Sequence, residues 1–160
     1  NKITMKLLQT IKNKLGIGGV KVKLLVPGQI EQNSSIVSGN VELTSKSNQE
    51  IINMRFVFIE EFTKGRGDNQ TTRAFELGET MNNNSFSIKA GENKSFDFEL
   101  PFKLLKSNAD NLKEKGGAIG KIGSIAKFAN NEKSAYYIKA EVDVKSAALD
   151  PHDKKEVKLV

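Results

Sequence analysis

The sequence contains no cysteine and a single histidine, His152. Without cysteine there is no disulfide, no thiolate nucleophile and no Cys-based zinc site. With one histidine, a His-rich metal centre is excluded as well. The absence of thiols fits a reducing compartment, so a cytoplasmic location is expected. No run of about 18 apolar residues is present, so no helix is expected to cross a bilayer. A secretory signal is not expected either, because lysines interrupt the apolar positions near the N-terminus. Acid is missing from residues 1–30, which carry Lys2, Lys6, Lys12, Lys14, Lys21 and Lys23. Six of the 25 basic residues lie there, which leaves 19 against the 19 acidic ones elsewhere. The +6 net charge is therefore a local basic patch and not a nucleic-acid-binding field, so no nucleic-acid partner is expected.

What is present describes one globular domain. The chain has 160 residues, 38% apolar and 28% charged, enough to bury a core and too apolar for wholesale disorder. Residues 3–15 read as an amphipathic helix with Leu7, Leu8, Ile11 and Leu15 on one arc and Lys2, Lys6, Gln9 and Asn13 opposite. Gly16 and the Gly18-Gly19 pair end it.

From Val20 the apolar period becomes two. Val20, Val22, Leu24 and Val26 share a face, as do Val37, Gly39, Val41 and Leu43. A longer strand over 51–62 is expected to point Ile52, Met54, Phe56, Phe58 and Phe62 inward, leaving Val57 and Ile59 as apolar area outside. Hairpin residues follow at 64–70, a weaker strand holds Phe75 and Leu77, and two short strands carry Phe86 and Ile88, then Phe96, Phe98 and Leu100. Residues 103–133 lose the alternation and read as a partly helical insertion. Tyr136, Ile138, Ala140, Val142 and Val144 resume it, and Val157 and Leu159 close the chain. About eight strands without crossover helices make an all-β fold, an immunoglobulin-like antiparallel β-sandwich.

Tests for catalytic sites return turns. In GGAIGKIG, Gly116 and Gly120 are separated by three residues and Lys121 is followed by Ile122, so a phosphate loop fails on spacing and on the missing hydroxyl. Arg66-Gly67-Asp68 sits among turn formers at a hairpin tip. In Leu149-Asp150-Pro151-His152-Asp153, Asp150 suits the first position of a type I turn, with its carboxylate accepting backbone N–H bonds. His152 is then an exposed bystander rather than a general base. Glu60 and Glu61 are adjacent on a strand and point to opposite faces, so they cannot act as an acid–base pair. No cofactor is implied, and a non-enzymatic role is expected.

Several segments resemble the SpoOM-type sporulation-control family. Tyr137-Ile138, Val142-Asp143-Val144 and Ala148-Leu149-Asp150-Pro151 with Asp153 look like that family's C-terminal strand and Leu-Asp-Pro-x-Asp run. KLLQTIKNKLGIGGVKV, SGNVEL and SFDFELPF look, in order, like its opening helix with a Gly-rich link to the first strand, its Ser-Gly-x-Val-x-Leu/Ile strand and its Phe-x-Phe-x-Leu-Pro segment. The resemblance implies an arrestin-like sandwich of the arrestin N-domain type that serves bacteria as an adaptor or regulator. The family supplies no agreed set of functional residues to carry over.

Taken with that resemblance, a protein partner is expected at strand edges and loops. The candidates are Lys64, Arg66 and Asp68 at the hairpin, Ile119 and Ile122 in the insertion, and Val57 and Ile59 on the outer face. Self-association through a strand edge or that apolar face is a further expectation. The alternative is peripheral attachment to an anionic membrane through the N-terminal helix, with Lys6, Lys12 and Lys14 as contacts.

Overall fold

The computed structural model describes residues 19–105 and 131–160. The expected N-terminal helix and nearly all of the expected insertion lie outside the described residues, and with them Lys6, Lys12, Lys14, Ile119 and Ile122.

The described residues form strands β1 (Val20–Leu25), β2 (Gln29–Ile30), β3 (Ile36–Ser45), β4 (Gln49–Lys64), β5 (Thr71–Asn82), β6 (Phe86–Ile88), β7 (Asn93–Pro101), β8 (Glu132–Val144) and β9 (His152–Leu159). One 3-10 turn covers Gly67–Asn69. Strands β1, β3 and β7 make one antiparallel sheet. The other runs β2-β9-β8-β4-β5, with β6 beside β4. Eight of the nine strands coincide with alternating segments. The ninth, β2, is two residues long and pairs parallel with β9, too short to leave a period in the sequence.

Each sheet has one apolar face, and the two faces are buried against each other. Leu24, Val41, Leu43 and Leu100 come from the smaller sheet; Met54, Phe56, Phe58, Ile138 and Val142 come from the larger. The Phe56 and Phe98 rings stack across the interface at 4.0 Å, and Phe58 stacks on Phe102 at 4.7 Å. Flat ring-on-ring contact demands room, and Gly39 supplies it. A Cβ there would lie 2.5 Å from the Phe98 ring.

Two irregularities interrupt the pairing of β4, one in β4 itself and one in β5, and the first changes the inward set. Ile51 pairs with Val144 and Asn53 with Asp143, so Ile52 is the extra residue of a bulge. Ile51 is therefore the buried residue and Ile52 is 42% exposed, which corrects the expectation that Ile52 faces the core. Across β5, Phe58 pairs with Gly78 and Ile59 with Glu76, leaving Leu77 unpaired with β4. The end of β7 crosses at that point: the Lys103 N–H donates to the Leu77 carbonyl at 2.9 Å. A Cβ on Gly78 would lie 2.0 Å from the Pro101 carbonyl oxygen.

The chain between β8 and β9 turns earlier than Asp150. The Ala147 N–H bonds to the Val144 carbonyl at 3.1 Å, closing the turn over Lys145-Ser146. Pro151 already lies alongside β8, its carbonyl accepting the Val142 N–H at 3.0 Å. The Asp150 carboxylate does accept a backbone N–H, that of Val144.

Candidate protein-docking edge

Strand β4 outruns the smaller sheet. Phe58 stacks on Phe102, just past the end of β7, and Ile59–Lys64 continue with β5 and β8 as their only described strand partners. Strand β9 still pairs with β8 at Tyr136 and Tyr137, opposite Glu60 and Ile59, so the part beyond Glu60 is a three-stranded projection of β5, β4 and β8. At its tip the hairpin reverses through Gly65 and Gly67, at φ of 100° and 55°, where a side chain would be strained. A Cβ on Gly65 would also meet the Asn69 carbonyl oxygen at 2.4 Å.

The tip is tied to the place where the described chain resumes. The Gly65 N–H donates to the Asn131 carbonyl at 2.9 Å, and the Arg66 Nε–H donates to the Asn131 Oδ1. Lys64 lies 3.8 Å from Glu132. Asn131 itself takes φ 58°, a conformation that asparagine tolerates better than most residues. Thus two of the expected docking candidates, Lys64 and Arg66, meet the end of the 103–133 segment, while Asp68 stays exposed in the 3-10 turn. That Asn131 and Glu132 would complete this corner was not readable from a linear pattern 65 residues away from the hairpin.

Strand β5 is the border of the larger sheet. Among the described residues no strand pairs with its outer side. Thr71, Thr72, Arg73, Ala74 and Glu76 are exposed, and Phe75 is half-buried against the core. Residues 101–103 cross this border at Leu77 and Gly78, so among the described residues the stretch before the crossing, Thr71–Glu76, is open on its outer side.

The outer face beside it is charged. Arg55 on β4 reaches Glu76 at 2.8 Å and Glu79 at 2.9 Å on β5, with Glu141 of β8 at 3.8 Å. The hydrogen bonds to Glu79 and then Glu76 hold the guanidinium proton more tightly than usual. Lys139 sits 2.5 Å from Glu141 and holds that carboxyl below its ordinary range. Farther along, Lys154 of β9 contacts Glu61 at 2.5 Å and lies 4.1 Å from the centre of the Tyr137 ring.

This network corrects the expected apolar face. Val57 is 1% exposed and Ile59 half-buried. Val57 is flanked in register by Lys139 and Glu79, long side chains whose stems can shield apolar surface while their charges stay in water. The outer face at this point therefore presents ion pairs over a buried Val57, beside a half-buried Ile59.

Glu60 and Tyr136, paired across β4 and β8, are both buried. The Tyr136 hydroxyl bonds to the Glu60 carboxylate. Burial first, then the Glu60 charge and bond, push the phenol above its ordinary range.

His152 opens β9 exposed to solvent, its Nδ1 3.4 Å from the Asp150 carbonyl oxygen. It borders an open groove of about 560 Å³ at the opposite end of the sandwich, where Val20, Val22, Val144, Ala147, Leu149 and Pro151 alternate with Lys21, Lys46, Gln49 and Asp150. Burial, then Asp143 and Glu141, raise the Asp150 carboxyl there. Among the described residues no three His, Asp or Glu side chains converge to hold a metal. No described helix is long and apolar enough to cross a membrane.

Comparison with known proteins gives the same fold. The sequence model of the family described as SpoOM protein matches residues 8–107, more than half of the chain. The crystal structure of Spo0M, a sporulation control protein from Bacillus subtilis, superposes with a TM-score of 0.62 at 16% identity. That alignment covers 89% of this chain and 50% of the other, so the chain spans half the length of the protein it matches. No curated protein matches the sequence.

Proposed function

The chain belongs to the SpoOM protein family, and we propose that it is a non-enzymatic regulatory adaptor of arrestin-like fold, linked to sporulation-type control, that captures a protein partner along the β5 border. The observation that carries this reading is the open stretch Thr71–Glu76 on a projection stiffened by pairing with β4 and by the Asn131 corner. An extended segment of a partner would add there as a further strand. Backbone N–H and C=O groups would supply affinity, and the exposed side chains of Arg73 and Glu76 would select the sequence. Lys64, Arg66 and Asp68 at the tip would extend the contact, together with the insertion that carries Ile119 and Ile122.

The adaptor reading needs no cofactor, and a cytoplasmic partner fits a cysteine-free chain.

The test is affinity capture from the native cell with the full chain and with Ala74→Pro as bait. Proline removes a backbone donor and is tolerated at sheet borders. The expected result is a specific protein retained by the full chain and lost with the proline variant at unchanged thermal stability. Equal capture by both would reject strand addition at β5.

A further inference from the structure

The groove at the far end of the sandwich exposes apolar side chains between polar ones, Lys21, Lys46, Gln49, Asp150 and His152. Val20 and Val22 of β1 form one wall; Val144, Ala147 and Leu149 form the other. Leu149 is 77% exposed, the largest exposure of any big apolar side chain among the described residues. Gly19, where the described chain begins, is itself part of the lining. Whatever precedes it is delivered to the groove's mouth by the chain itself.

What precedes it has the matching chemistry. Residues 3–15 carry the arc Leu7, Leu8, Ile11 and Leu15, about 20 Å long as a helix, joined to β1 through Gly16–Gly19. Those four residues reach about 14 Å at most, so the arc is tethered close to Val20. A short tether gives an effective concentration in the millimolar range, which a free partner would have to exceed. Residues 1–18 hold four lysines and no acid. The groove lining holds Asp150 together with Lys21 and Lys46, so the match to the segment is carried by apolar surface and not by charge. The family match begins at residue 8, so Leu8, Ile11 and Leu15 fall inside the shared domain and not in an appended tail.

We infer that this groove is the docking site of the chain's own residues 3–15, which lay their apolar arc between Val20–Val22 and Ala147–Leu149. The inference is independent of the β5 reading, which concerns the opposite end. It also gives the basic amphipathic segment a covered state, in which its leucines are unavailable to a membrane surface.

The absence of cysteine makes the test direct, because one introduced thiol is labelled uniquely. A nitroxide is attached at Gln9→Cys, on the polar side of the segment, in the full isotope-labelled chain. Amide signals of Ala147 and Leu149 are expected to broaden, unchanged when unlabelled chain is added in excess. Ile36 is expected to stay sharp, because the β3 register places it about 30 Å from the groove end. Adding Leu8→Asp and Ile11→Asp to the labelled chain is expected to restore the Ala147 and Leu149 signals. Broadening that is absent or uniform, that survives the two aspartates, or that disappears on dilution with unlabelled chain would overturn the assignment. The last of these would indicate a second copy in the groove.

Discussion

The Asp153 carboxylate accepts the backbone N–H of Leu24 at 2.8 Å, joining β9 of the larger sheet to β1 of the smaller. The donor is on a border strand, where an N–H facing the other sheet has no ladder partner. The same carboxylate accepts the Lys154 N–H at 2.9 Å through its other oxygen. The final residue of the Leu-Asp-Pro-His-Asp run is thus an inter-sheet clasp.

Asp153→Ala removes the side-chain acceptor of that part-buried N–H. The expected loss is about 1–3 kcal/mol in urea unfolding, the penalty of an unsatisfied buried donor. Asp153→Asn keeps an oxygen in place and is expected to lose less. Equal losses would mean that charge, not the hydrogen bond, is what matters.

Gly78→Ala is expected to destabilise by about 1–3 kcal/mol, because the added methyl meets the Pro101 carbonyl where two backbones cross. Gly28→Ala, with nothing within 4 Å of its Cβ, is the matched control and is expected to change the unfolding midpoint little. Similar shifts for both would remove the crossing as the cause.

The Tyr136 phenol is raised by burial and by Glu60. A raised folded-state value means that its contribution is complete below the unfolded tyrosine value of about 10. It declines as pH climbs from there toward the folded value, because only the unfolded chain then releases the proton readily. Thermal melts of the native chain and Tyr136→Phe across that alkaline range are expected to differ in slope, with the steeper fall in the native chain. Parallel slopes would contradict a phenol raised by burial and by Glu60.

Arg55→Met is expected to cost roughly 1 kcal/mol or less in dilute buffer, because its carboxylate partners are well exposed. The difference is expected to shrink in high salt as the Debye length contracts. A loss of several kcal/mol, insensitive to salt, would show that Arg55 has a packing role the ion pairs do not describe.

The architecture was legible because alternation is a local property. Tyr136, Ile138, Ala140, Val142 and Val144 all face inward as their spacing dictates. It failed where registers shift: the bulge at Ile52 moves the inward position to Ile51, and only the pairing with β8 reveals it. Val57 was misplaced for another reason. Burial on an outer face depends on the side chains of neighbouring strands, here at Lys139 and Glu79, which are far away in sequence. The candidate site was half legible. Lys64, Arg66 and Asp68 lie at the hairpin tip as their turn residues imply, but the Asn131 corner and the Asp153–Leu24 clasp join residues 65 and 129 positions apart.

Deuterium uptake with and without the captured partner decides whether a partner strand adds to β5. Protection is predicted at the outward amides of Thr71–Glu76, with β7 unchanged. Protection confined to β7 or to the groove around Leu149, with Thr71–Glu76 exchanging as in the free chain, would contradict it.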